Sequence, residues 1–406
     1  MTKLQQRERD FKFFREYLIY LNLVDEKRLR RMMNTKKSST LRKYFSIFVP
    51  PSPGFSFRIL DRLFWKHPVH PKFYPKVLGS YLLNFLNAPF RWYEKKYIDP
   101  RFQMVPIEHP PVFIIGHWRS GTTHLHNLVT RNPEMAYVTT FQSLFPNNMV
   151  SKVGRTLFSL ILKLALPPNR LADSIELDPE YPEEEEFTLG MNVPVSYYFF
   201  WLFPKQTKEF YKRYIEFAEL PPEMVEAWGE EYSLLIKKAI QNTKGKIFVS
   251  KNPPNTGRIP QLLKVFPDAK FIFIHRNPEE VYSSTLHFLK QLLPKLEYHT
   301  ITDQQIEENM IFVYRALMKK YLNDRKQVPA GNLYEMRYED LMTDPTREIE
   351  NVYRQFNFPE PDLGLKLVEE HLEETKDFSG NKLILTNEQH KRVKREFGFA
   401  FEEWGY

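Results

Sequence analysis

"FIIGHWRSGTTHLH", residues 113–126, decides the fold of this 406-residue chain. An apolar run, Val112 to Ile115, stops at Gly116, and Gly121-Thr122-Thr123 follows after four residues. This is nearly the strand, loop and helix of a phosphate-binding loop, whose usual ending is Gly-Lys-Ser/Thr. Thr122 stands where that lysine belongs, and a cation, Arg119, lies two residues before the glycine. Gly116 and Gly121 allow a tight turn with converging backbone N–H groups. A helix starting near Ser120 adds the partial positive charge of its N-terminus. With hydroxyls from Ser120, Thr122 and Thr123, the loop suits a phosphate. Without the lysine, it suits a magnesium-bound triphosphate poorly.

The same grammar continues downstream. "KIFVS" (246–250), "AKFIFIH" (269–275) and "NLYEMRYEDL" (332–341) read as short buried strands or strand ends. Each precedes a helical pattern, in "KNPPNTGRIPQLLKVFP" (251–267), "NPEEVYSSTLHFLKQLL" (277–293) and "DPTREIENVYRQFN" (344–357). Alternating apolar strands and amphipathic helices predict an α/β fold, a P-loop-like parallel sheet flanked by helices. Right-handed crossovers would gather the loops at the strands' C-terminal edge, where such folds bind ligands. Residues 140–245 break the pattern and are expected to form a helical insertion covering the site. Residues 1–105, with "RDFKFFREYLIYLNLVDEKRLRRMM" (9–33) and "KVLGSYLLNFLNAPFRWYEKKY" (76–97), read as a helical N-terminal extension to the 106–406 domain. Aromatic stripes at helical spacing mostly face cores, so packing on the main domain is expected. Basic aromatic helices also suit an anionic membrane, so a peripheral contact through this region is the alternative.

Composition limits the function classes. With 58 Lys+Arg against 50 Asp+Glu, the net charge is +8, which favours an anionic ligand or surface without singling out nucleic acid. Cysteine is absent, which removes disulfides, thiolate nucleophiles and zinc–thiolate sites. No Asn-x-Ser/Thr acceptor occurs, and the charged start "MTKLQQRERDFKFF" lacks a signal-peptide core. The longest apolar runs, such as "LFSLILKLAL" (157–166), are too short and interrupted to span a bilayer. These features predict a soluble, cytoplasmic protein, with membrane association through the N-terminal region as the variant of that reading.

A second loop sharpens the first. In "AKFIFIHRNPEEVYSS" a strand ends at His275, Arg276 follows at once, and Ser284 lies eight residues beyond Arg276. Ser284 is about two turns into the helix opened by Pro278, so Arg276 and Ser284 could flank one anion at the strand's C-terminal edge. An ion pair with Glu279 or Glu280 is the competing use of Arg276.

Taken together, the two stretches resemble the sulfotransferases that use 3′-phosphoadenosine 5′-phosphosulfate (PAPS), in their bacterial-type branch. The resemblance covers residues 110 to about 345 and rests on Arg119-Ser120-Gly121-Thr122-Thr123, Arg276-Asn277-Pro278 with Ser284, and "MRYEDL". It implies that the first loop holds the 5′-phosphosulfate, that Arg276 and Ser284 hold the 3′-phosphate, and that Tyr338 lies by the adenine. It also implies that no metal is needed, since PAPS has no γ-phosphate. The acidic "EEEF" segment and the lysine-proline loop belong to the same likeness.

An acceptor hydroxyl attacking sulfur must lose its proton, usually to a histidine or carboxylate. His126 and His124, on the helix that the loop opens, are candidates, as are Glu184, Glu185 and Glu186 of "PEEEEF". The resemblance favours the acidic segment, and Glu185 is taken as the base, with His126 as the alternative. Lys251, directly after a strand, is placed to stabilise charge on the bridging oxygen of the transferred sulfate. Two positions depart from family patterns: Asn255 where many relatives carry a histidine, and Gln142 where some carry a carboxylate. The aromatic cluster at 197–203 and the apolar stretch 157–166 would suit a glycan face or a lipid as acceptor. A P-loop kinase and a non-catalytic anion- or membrane-binding protein are the rival functions.

Overall fold

A computed structural model describes residues 54–148, 154–156, 158, 179–375 and 385–406 of the chain. The helix expected in residues 9–33 and most of the apolar stretch 157–166 lie outside them. The chain enters through helices α1 (Phe57–Lys66) and α2 (Tyr74–Tyr93), a π-helical turn (Glu94–Ile98) and α3 (Asp99–Gln103). Strand β1 (Val112–Ile115) leads through the glycine loop into α4 (Thr122–Val129), followed by β2 (Met135–Ala136). Helices α5 (Thr140–Leu144), α6 (Glu186–Asn192), α7 (Phe199–Leu202), α8 (Thr207–Tyr214) and α9 (Pro222–Thr243) come next. Strand β3 (Ile247–Lys251), helix α10 (Ile259–Val265), strand β4 (Lys270–His275) and helices α11 (Pro278–Leu296) and α12 (Asp303–Asp324) continue the chain. It ends with β5 (Leu333–Arg337), α13 (Tyr338–Thr343), α14 (Pro345–Phe356), α15 (Pro361–Glu374) and α16 (Asn387–Trp404).

The five strands form one parallel sheet in the order β2-β3-β1-β4-β5. Side chains alternate across a strand, so each one feeds two cores. Phe113, Ile115, Phe248, Phe271 and Phe273 pack on one face with α9, α11 and α12. Val112, Ile114, Val249, Ile272 and Ile274 pack on the other with α4 and α14. One face is therefore aromatic and the other aliphatic, and neither meets water. Strand β1 sits centrally, paired with β3 on one side and β4 on the other. Winding reverses there, which opens the crevice at the C-terminal ends of β1 and β4. β2 has two residues, too few to show a strand period in the sequence.

The helical pattern expected within 76–97 is present as α2, but its faces are inverted. Its buried residues are Gly79, Ser80, Asn84, Asn87, Phe90 and Arg91. Packing thus runs through polar groups, with Arg91 donating to Asn84 at 2.8 Å and to the Phe55 carbonyl at 3.2 Å. The π-helical turn is fastened by the buried Lys238 of α9, 2.6 Å from Asp99 and 3.3 Å from Glu94. No helix among the described residues is long and apolar enough to cross a membrane.

Candidate functional site

The loop after β1 is shaped by its glycines. Gly116 (φ 148°) and Gly121 (φ 99°) lie at positive φ, and Arg119 (φ 69°) is left-handed despite its side chain. A Cβ at Gly116 would strike the Ile274 carbonyl, and one at Gly121 the Tyr338 ring. The Gly116 N–H donates to Thr256 Oγ1 (2.8 Å), and Ser120 Oγ donates to the His117 carbonyl (2.6 Å). Ser120 is thus a strut of the turn, while Gly121 turns the chain into α4 so that Thr122 and Thr123 open that helix. Burial pushes His117 down to about 4, so it stays neutral beside the loop.

The helix N-terminus faces a cluster drawn from three distant segments. Arg119 Nε donates to Ser284 Oγ at 3.0 Å. Arg276 reaches the Arg119 carbonyl at 3.4 Å, and its guanidinium lies 4.3 Å above the Tyr338 ring. Arg119, Ser284, Arg276 and Tyr338 therefore share one corner at the β1–β4 crevice. Arg276 also pairs with Glu280 at 2.5 Å, a part-exposed contact one helical turn on, of the kind that contributes little stability. The "MRYEDL" segment fixes this corner, since Glu339 accepts from the Asn277 N–H (3.1 Å) and from Tyr406 (2.9 Å). Asn277 in turn caps α11, accepting from the Glu279 N–H at 2.9 Å. Two guanidinium groups, a hydroxyl, a helix N-terminus and an aromatic face are a donor set that fits a nucleotide with phosphates at two positions.

The three adjacent glutamates go to three environments. Glu184 accepts from Lys251 Nζ at 2.5 Å and from the Tyr198 hydroxyl. Tyr198 also accepts from Trp118 Nε1 at 3.0 Å, which ties the pair to the glycine loop. Burial, with the Glu184 charge second, pushes the Tyr198 phenol well above its ordinary range, so it remains a donor. Glu185, 1% exposed, accepts from Ser250 and Tyr232. Burial raises its carboxyl to about 7 against those hydrogen bonds. Glu186 is gripped by Arg258 at 2.6 and 2.8 Å, with Asn252 Nδ2 (2.8 Å) and the Tyr197 N–H (2.6 Å) also donating. Burial alone would raise Glu186, but the Arg258 charge and these bonds hold it below its usual range.

The histidines of α4 lie elsewhere. His126 faces the sheet, with Nε2 3.3 Å from the Val249 carbonyl. That is two residues, about 7 Å, below Lys251 along β3. His124 is mostly buried, and burial first, then nearby His371, lowers its pKa. Both family departures have partners in the fold. Gln142 forms a capping box with Thr139 at α5, and Asn255 donates to Tyr232 at 2.7 Å. Sequence reading did not single out Trp118 or Tyr198 individually. The signal was available in the indole beside Arg119 and the paired tyrosines of "VSYYFF".

Beside this centre runs a narrow cavity lined by His117, Trp118, Phe200, Trp201, Phe288, Met310 and other mainly apolar groups. Trp201 stacks on Tyr198 with ring centroids 4.2 Å apart, so the cavity wall touches the group that donates to Glu184.

Comparison with known proteins agrees with this geometry. The sulfotransferase family model matches residues 110–362. Over 378 residues the chain is 28% identical to the omega-hydroxy-beta-dihydromenaquinone-9 sulfotransferase Stf3 of Mycobacterium bovis, covering 92% of this chain and 96% of that one. Stf3 of Mycobacterium tuberculosis matches to the same extent. In fold, the chain is similar to sulfotransferase STF9 from Mycobacterium avium, with a TM-score of 0.63, 16% identity and coverage of 91% and 96%. STF1 from Mycobacterium tuberculosis H37Rv has a TM-score of 0.56, 19% identity and coverage of 84% and 90%. The chain belongs to the sulfotransferase family, enzymes that carry a sulfuryl group from PAPS to a hydroxyl acceptor.

Proposed function

We propose that this enzyme sulfates the hydroxyl of an apolar, lipid-like alcohol, with Glu184 taking the acceptor's proton and Lys251 assisting departure of the nucleotide. The observation that carries the reading is the apolar cavity whose wall, through Trp201 and Tyr198, abuts the Glu184–Lys251 pair. An apolar lining gains about 25 cal/mol per Å² of lipid surface it covers, and it offers a glycan few of the hydrogen bonds its hydroxyls need. The relative Stf3 carries a menaquinone derivative in its name, which supports the same acceptor class. Peripheral contact of the N-terminal region with a membrane belongs to this reading, because such an alcohol resides in a bilayer.

In the proposed step the acceptor oxygen bonds to sulfur as the bond from sulfur to the bridging phosphate oxygen breaks. The proton passes to Glu184, and adenosine 3′,5′-bisphosphate leaves. Arg119, Ser120, Gly121, Thr122 and Thr123 are assigned to the 5′-phosphosulfate, and Arg276 with Ser284 to the 3′-phosphate. Tyr338 is assigned to the adenine. Lys251 is assigned to the bridging oxygen, where charge grows only as the bond breaks. Glu185, expected from the sequence as the base, is fully enclosed by Ser250 and Tyr232, so the proton-accepting role is given to its neighbour. His126 is likewise given no proton-transfer role, since it is packed under β3.

Labelled PAPS, chelator and a panel of long-chain alcohols, phenols and sugars test the reading directly. Transfer to the long-chain alcohols without divalent metal is the expected result. Transfer confined to sugars would overturn the acceptor class.

A further inference from the structure

Helix α2 has its polarity reversed relative to an ordinary surface helix, whose apolar stripe faces the core. Tyr74 (58% exposed), Leu78 (65%), Leu82 (59%), Phe85 (68%) and Trp92 (46%) recur at helical spacing along its outer side. They form one stripe about 27 Å long. The opposite side is largely polar and packs inward through hydrogen bonds. Ser80 bonds Tyr298 at 3.1 Å, Asn84 accepts from Arg91, and Asn87 accepts from Asn148 at 2.5 Å. Hydrophobic burial within the described fold therefore does not explain the outer residues, and continuous apolar stripes of this kind mark contact surfaces.

Charge indicates the partner. Between residues 57 and 103, Arg58, Lys66, Lys72, Lys95, Lys96 and Arg101 are exposed. The three acids of the segment are Asp61, which accepts from Tyr81, and Glu94 and Asp99, both buried against Lys238. Lysines 95 and 96 follow the C-terminal end of the stripe, with Lys96 4.7 Å over the Trp92 ring, and Lys72 precedes its start. An apolar face with aromatic ends and a cationic rim is what an interfacial helix needs to lie in an anionic bilayer surface.

We infer that α2 is the docking surface of this enzyme for an anionic lipid membrane, its outer stripe entering the headgroup boundary. The inference rests on the lipid-acceptor reading for its purpose, and the placement of α2 fits that purpose. Lys76 donates to the Lys295 carbonyl (2.8 Å) at the end of α11, whose Phe288, Leu289 and Leu293 line the cavity. Tyr298, bonded to Ser80, donates its N–H to the Leu202 carbonyl (2.8 Å), next to the cavity residue Trp201.

Sedimentation of the full chain with phosphatidylglycerol and with phosphatidylcholine vesicles tests it. Preferential binding to phosphatidylglycerol is expected, with L82D/F85D weakened roughly tenfold or more by the lost apolar insertion. K95E/K96E should weaken phosphatidylglycerol binding alone. Equal binding by L82D/F85D and the parent, or no parent binding to either vesicle, overturns the inference. So does a parent dimer in lipid-free buffer that the double variant breaks, which assigns the face to a second copy. A double variant that loses thermal stability also overturns it, because the face is then packed against the chain's own N-terminal segment. Sulfate transfer to a short, water-soluble alcohol is measured alongside. Intact transfer with absent vesicle binding removes only the docking surface, whereas vesicle binding without transfer removes only the functional reading.

Discussion

The glycine loop at 116–121 and the glutamates at 184–186 are equally conspicuous in sequence, yet they are built in opposite ways. In the loop the backbone decides. Two glycines and a left-handed Arg119 set the turn, and the side chains at 119–123 follow from it. In the glutamate run the partners decide. Ser250 and Lys251 point to opposite sides of β3, and Glu185 and Glu184 follow them apart, while Glu186 turns to Arg258. A backbone-built site can be read from spacing, because the required φ values select the residue types. A partner-built site cannot, because its partners lie up to 72 residues away.

The sharpest test of this contrast separates the adjacent glutamates. Glu184→Gln should lower kcat by about 10²–10⁴-fold, as expected for loss of a general base. Lys251→Ala should lower it by roughly 10²–10³-fold, by analogy with a lost oxyanion donor. Affinity for adenosine 3′,5′-bisphosphate should stay unchanged in both. Glu185→Gln should keep kcat within about tenfold of the parent, since its carboxyl is buried in hydrogen bonds with Ser250 and Tyr232. An inactive Glu185→Gln beside an active Glu184→Gln would reverse the assignment. A dead His126→Ala with both glutamine variants active would move the base onto α4.

Glu186→Ala probes the third glutamate through stability. It leaves the Arg258 guanidinium, fully buried, without its counter-charge. Breaking such a pair costs about 3–5 kcal/mol. A large fall in the denaturation midpoint is expected, and a midpoint within error of the parent would show that the pair is not needed.

The contrast also explains what was legible. Strand–loop–helix alternation gave the parallel sheet, because β1, β3 and β4 are buried on both faces and read as unbroken apolar runs. β2 escaped because two residues carry no period. Arg276 and Ser284 were legible as a pair because eight residues fix two turns of helix, and the fold then adds Arg119 to them. The glutamates were legible only as a group. Their separate roles depend on Tyr198, Tyr232, Ser250 and Arg258, which no local spacing connects. Helix α2 was legible as a helix but not in its orientation, since the rule that apolar stripes face inward is the one it breaks.

In the backbone-built corner, removing one cation should produce a binding defect rather than a chemical one. Arg276 is assigned to the 3′-phosphate, remote from the transferred sulfuryl group, so its contact is equally strong in ground and transition states. Arg276→Ala should raise KM for PAPS by roughly 10–100-fold, in line with loss of a charge-assisted hydrogen bond, and leave kcat nearly unchanged. Loss of kcat without a change in KM would detach Arg276 from the nucleotide.

The smallest expected effect is a pH dependence that belongs to the partner-built region alone. The folded state holds Glu185 at about 7 against an ordinary 4.5, chiefly through burial, with Ser250 and Tyr232 pulling the other way. Between those two values the folded chain keeps this proton while the unfolded chain releases it. Stability from this residue therefore falls as pH rises from 4.5 to about 7 and is constant beyond. Glu185→Gln cannot ionise, so its melting temperature, compared with the parent's, should gain a few degrees across that window. An exposed carboxylate would show no such gain. If the two melting curves instead run parallel through the window, Glu185 is solvated in solution, and the argument for assigning proton transfer to Glu184 over Glu185 loses its physical basis.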